Sequence, residues 1–125
     1  MSHSYSDKLV ATKQYYPFDE WRHNFKLGLE QYTEQNCLQA KFIMDRLIYA
    51  LIVLGEDAWE IVKVAQFKEA VLSLNELNDH TDGAFIETGE REQLFVLFEK
   101  IASAAGIESQ RYGGGEGIAS EWRDW

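Results

Sequence analysis

The sequence predicts an all-α fold: one antiparallel four-helix bundle with a glycine-rich loop and a docked C-terminal tail. Apolar residues recur every three or four positions along four segments, the spacing that lines one face of a helix. Strand-like alternation is confined to AFIE from Ala84, too short to define a strand. Helix stops and turn residues, Gly55, Asn78–Gly83 and Gly106, fall between the periodic segments. At 125 residues the chain suits a single domain around one core.

The only proline, Pro17, precedes Phe18, Trp21, Phe25, Leu29 and Tyr32, so a first helix is expected over about 17–34 after a flexible segment 1–16. Asn36 offers a cap for a second helix ending at Gly55, apolar over most of its circumference near its end and therefore central. Glu56 and Asp57 suit the positive end of a third helix running to about Asn78, with Lys63, Gln66 and Glu69 expected to face water. Thr88 is placed to cap a fourth helix, whose inward stripe includes Leu94, Phe98, Ile101 and Ala105. Gly106 followed by Ile107 reads as a left-handed cap with an apolar contact. Residues 107–125 form the loop and tail.

Twelve Lys and Arg against twenty-one Asp and Glu give a formal charge of -9, which repels nucleic acid and anionic membranes and favours a basic protein partner. The opening MSHSYSDKLVATKQ has no apolar run of signal-peptide length, and the single Cys37 has no internal partner, so a cytoplasmic location is expected. LIYALIVLG from Leu47 is shorter than the roughly 20 residues that cross a bilayer.

Chemical motifs are sparse. Placing Gly83 at position six of a calcium loop puts His80 at three and Gly89 at twelve, where a bidentate carboxylate is needed. Glu20 and His23 have the i, i+3 spacing of carboxylate-bridged di-metal bundles, but a second Glu-x-x-His is absent; Glu76 and His80 stand four apart. These four residues support an alternative reading as a metal- or small-ligand-binding enzyme. Asp45 and Arg46 interrupt an apolar stretch and need partners at the bundle edge. Cys37 lacks a neighbouring base and reads as a small packed side chain. YGGGEGIAS lacks the lysine of a phosphate loop, and no serine has a hydrolase elbow.

Glu87-Thr88-Gly89-x-Arg91-Glu92, Ala104-Ala105-Gly106, Leu74-Asn75-Glu76-Leu77 and the closing Trp122-Arg123-Asp124-Trp125 together resemble a family of small bacterial proteins of unknown function that end in Arg-Asp-Trp. The resemblance covers about the last fifty residues and implies an acidic helical domain without implying an activity. In the tail, Ile118, Trp122 and Trp125 are too apolar to stay in water, so the glycines should let the chain reverse and dock, with Arg123 pairing with Glu87 or Glu90. The rival use of Trp122 and Trp125 is as partner anchors.

The function expected is therefore a non-catalytic protein-interaction domain with no cofactor or metal, in its sharpest form an acidic immunity protein or antitoxin that masks a basic toxin. Its expected partner-binding residues are Glu76, Asp79, Asp82, Glu87, Glu90, Trp122 and Trp125, joined by Glu116 and Glu121.

Overall fold

The computed structural model describes residues 4–81 and 83–125. Among these described residues five α-helices appear in the order α1 (Tyr5–Ala11), α2 (Phe18–Lys26), α3 (Glu34–Leu54), α4 (Glu60–His80) and α5 (Thr88–Ala104). Short 3-10 turns follow α1 and punctuate the tail, and no strand occurs among the described residues. The all-α, single-domain expectation holds.

The molecule is built in two layers. One is the antiparallel α3–α4 hairpin, turned at Gly55, whose φ of 87° suits glycine. The other is α5, flanked by the N-terminal segment on one side and the tail on the other; α1 touches both α3 and α5, and the turn Ile118–Glu121 touches both α4 and α5. Phe67 of α4 meets Phe98 of α5 between the layers, with ring centroids 6.4 Å apart. At one end α2 inserts Trp21 against Tyr32 and Phe85.

At the helix ends, local chemistry differs from expectation in four places. Residues from Ser4 onward are not a loose segment: the Ser4 hydroxyl accepts the Asp7 N–H at 3.0 Å and starts α1, which buries Leu9 completely. The first predicted helix ends at Lys26, not near 34, because Gly28 turns the chain at φ 100°; Leu29 is left exposed, while Tyr32 returns to the core. Helix α3 is capped by Thr33, whose hydroxyl accepts the Asn36 N–H, so Asn36 lies inside the first turn. Helix α5 is capped by Glu87, not Thr88, in a capping box with Glu90.

Helix α4 carries the largest difference. Lys63, expected in water, is only 6% exposed. Its Nζ donates to the Glu56 carbonyl at 2.7 Å and the Ala105 carbonyl at 2.9 Å and lies over the Tyr5 ring. Those carbonyls stand just past the ends of α3 and α5, where the helix dipoles favour a cation. Turning Lys63 inward turns Ile61, Val62 and Leu72 out to solvent.

The tail docks on its own body. Asn75, buried on α4, clamps it at two points: Nδ2 donates to the Trp122 carbonyl at 2.9 Å and Oδ1 accepts the Asp124 N–H at 3.1 Å. Trp125 packs on Phe95 and is 6% exposed. Gly113 makes the reversal possible: its φ is +65°, and a Cβ there would lie 2.7 Å from the Ser120 Cβ. Arg123 does not reach Glu87 or Glu90. It lies over Phe95, bonds Ser120 and approaches Glu116 at 3.7 Å, because Asn75 fixes the tail beside α4 and α5.

Leu9→Ala should lower the unfolding free energy by about 2–5 kcal/mol, enough to move Tm by roughly 10 °C in calorimetry, whereas Val10→Ala on the exposed side of α1 should change it by less than about 0.5 kcal/mol.

Candidate functional site

The outer side of the α3–α4 hairpin is the part of the molecule whose surface departs most from ordinary burial. The second layer covers only its inner side. On the outer stripe of α3, Leu38, Phe42, Tyr49 and Val53 recur at intervals of four, seven and four, and each is more than half exposed, Phe42 at 61%. On α4 they are answered by Val62 and Leu72, and near the hairpin turn Ile61 and Trp59 stand out further, Trp59 at 79%. Single exposed apolar residues need no explanation, but four on one stripe of a helix with further ones on its neighbour are more than scattered exposure accounts for.

Two depressions follow the seam between the helices. The larger, about 1040 Å³, is floored by Leu38, Phe42, Ile43 and Leu77 and bordered by Glu34, Glu76 and His80. The smaller, about 60 Å³, lies between Arg46 and Ala50 of α3 and Gln66 and Glu69 of α4. Asp45, which also lines the larger depression, is half-buried and accepts the Tyr16 hydroxyl at 2.7 Å, with Lys13 at 3.4 Å. Its neighbour Arg46 is exposed and has no ion-pair partner among the described residues. Burial first, and then the Asp45 carboxylate, push the Tyr16 phenol far above its ordinary range.

The residues expected to bind a partner divide. Glu76 and Asp79 are exposed on the last turns of α4, and Glu87 is exposed at the start of α5. Asp82 lies outside the described residues. Glu90 is occupied locally, accepting the Glu87 N–H at 3.2 Å and facing the Tyr32 hydroxyl, whose pKa is raised by burial and then by that carboxylate. Trp125 is buried and Trp122 half-buried beneath the tail, so neither is a free anchor. Glu121 is turned back to accept the Gly113 N–H, and Glu116 faces Arg123. The most exposed large apolar side chains of the long helices are on α3 and α4 instead.

The alternative constellation is not assembled. Glu20 accepts a hydrogen bond from Gln93, which in turn accepts the Trp21 indole N–H, so this carboxylate serves to orient Trp21. Among the described residues no three His, Cys, Asp or Glu side chains gather closely enough to hold a metal ion, and thus Glu20, His23, Glu76 and His80 do not converge. Cys37 is buried, and desolvation pushes its thiol up to about 11 despite the opposing pull of Arg22. No helix among the described residues is long and apolar enough to cross a membrane. No family model, curated protein or solved structure matches the chain.

With the thiol near 11 in the folded state against an ordinary value of 9.0, folding retains a proton that the unfolded chain releases. That stabilisation is complete below pH 9 and is lost as pH rises through 11. Chemical denaturation across this window should therefore show a decline about 1–3 kcal/mol steeper in the wild type than in Cys37→Ala, and iodoacetamide at pH 8 should leave the folded thiol unmodified.

Proposed function

We propose that the chain is a non-catalytic protein-interaction domain that engages a basic protein, and that an immunity protein or antitoxin covering a cationic toxin is the sharpest form of this role. The observation that carries the reading is the set of exposed carboxylates where α4 ends and α5 begins, on an exterior whose negative charge is largely unspent. Only two ion pairs within 4.0 Å occur among the described residues, against a formal charge of -9. Glu76 and Asp79 are exposed where α4 ends and form no ion pair within 4.0 Å among the described residues, and Glu87, which also caps α5, is exposed where that helix begins. Such a corner accelerates encounter with a cationic surface more than it adds final affinity.

The resemblance of the last fifty residues to small bacterial proteins ending in Arg-Asp-Trp is in keeping with a bacterial setting and adds no activity. A cytoplasmic location belongs to the same reading.

Affinity capture from a bacterial lysate at low salt, followed by binding measurements on each purified captured protein, tests this. The expected partner is basic; its Kd should rise about tenfold or more between 50 and 500 mM NaCl, and Asp79→Lys with Glu87→Lys should slow association several-fold while barely changing dissociation. A partner of acidic or neutral charge, or an affinity indifferent to salt and to both substitutions, would overturn it.

A further inference from the structure

We infer that the open side of the α3–α4 hairpin is the contact between two copies of this chain, which pack hairpin to hairpin as an isologous dimer. The inference rests on reading the chain as an interaction domain and names the occupant of its apolar face.

Among the described residues the N-terminal helix lies against α3 and α5, and the tail lies against α4 and α5, so neither covers the outer side of the hairpin.

Three properties of the face select a second copy. Its charge is low for this molecule: about the two depressions Lys41 and Arg46 stand against Glu34, Asp45, Glu69 and Glu76, two cations against four carboxylates, a net of -2 where the whole molecule carries -9. Arg46 and Glu69 are also self-complementary. Ile43, Arg46 and Ala50 line one cleft with Gln66, Glu69 and Ser73, so Arg46 stands level with Glu69 along the helix axes. A two-fold axis parallel to the helices preserves height, and therefore sets each Arg46 opposite Glu69 of the second copy, twice over, as a closed isologous contact requires. Finally, the size fits. The strip from Leu38 to Val53 is about 23 Å long and two helices wide, offering on the order of 700 Å² per copy, close to what a standard interface takes from each partner. Two antiparallel hairpins face to face form a four-helix unit of the kind that packs at about 20° with Leu, Phe and Val interdigitating.

The charge arrangement sets a diagnostic sign. Two copies at -9 repel through their exteriors, and salt screens that long-range repulsion more than it screens the close, enclosed Arg46–Glu69 pairs, so added salt should tighten the dimer. Binding of a basic partner at the acidic corner changes with salt in the opposite direction.

Sedimentation equilibrium over about 5–500 µM tests the inference. The expected mass is twice 14.5 kDa, with a dimer Kd that falls between 50 and 500 mM NaCl. Phe42→Asp and Leu72→Lys, both on exposed positions, should each weaken association about tenfold or more with unchanged helical circular dichroism. Arg46→Glu alone and Glu69→Arg alone should be largely monomeric, and mixing the two should restore dimer mass, because the mixed pair regains both opposite-charge contacts. A monomer at every concentration, or a dimer untouched by these four variants, overturns the inference. A monomer that still captures a basic partner overturns the dimer while leaving the interaction reading intact; a monomer that captures nothing removes both.

Discussion

A helix that is apolar over more than half of its circumference cannot be covered by one neighbour, and α3 and α4 are both of this kind. Each already spends one flank on the other across the hairpin. The remaining apolar area must be divided between an inner side, facing α5, and an outer side. A chain of this length supplies one further long helix, one short one, an N-terminal helix of seven residues and a tail rich in 3-10 turns, and all of these go to the inner side and its edges. The rest of the molecule follows from that allocation. Leu9 and Trp125 are buried because they fill the edges beside α5, and Phe42 and Tyr49 are exposed because nothing in the described chain is left to cover them.

Polar groups fix which segments serve as covers. Burying an amide or an ammonium without partners costs several kcal/mol, so a buried Lys63, Asn75 or Asn78 is tolerated only where its partners are exact in position. Lys63 forms no ion pair within 4.0 Å among the described residues, yet two carbonyls beyond helix ends and the Tyr5 ring satisfy it, which joins α1, α4 and α5 at one point. Asn75 holds the tail against α4, and Asn78 holds the 79–87 connection by accepting the buried Ile86 N–H at 2.9 Å. Each of the three sits on α4. That helix is therefore the organiser of the inner layer, and its rotation about its own axis is set by these bonds as much as by apolar burial.

This explains which features were legible in the sequence. The long helices, the stops at Gly55 and Gly106 and the docking of a tryptophan-bearing tail follow from local signals: periodicity, left-handed glycines and the cost of leaving indoles in water. Gly106 ends α5 with Ile107 donating back to Ala102, as the Gly-Ile pair implies. The phase of α4 was not legible, because apolar residues surround it and period alone cannot choose a face; a lysine reads as an outward marker until the carbonyls that receive it are known. The cap at Ser4 was available as a signal, but a seven-residue helix has too few turns for periodicity to register. At the site, the carboxylates of the α4–α5 corner were visible as composition. The apolar strip was not, since Leu38, Phe42 and Tyr49 look like core until the position of every cover is known.

The two surface features oppose each other in a way that makes them compatible. An uncovered apolar strip invites indiscriminate association, and the ordinary remedy is to place charge on it, which would destroy it as a contact. Here the charges sit at the rims of the strip and over the rest of the exterior. A repulsive field acting over roughly 8 Å at physiological salt discourages random collisions between acidic molecules, while an apolar face permits association once two faces are aligned at contact distance. In the proposed reading the same field draws a basic partner to the α4–α5 corner, so that long-range selection by charge and short-range selection by shape fall on adjoining parts of one small domain, and α4, which contributes Glu76 and Asp79 to one and Val62 and Leu72 to the other, belongs to both.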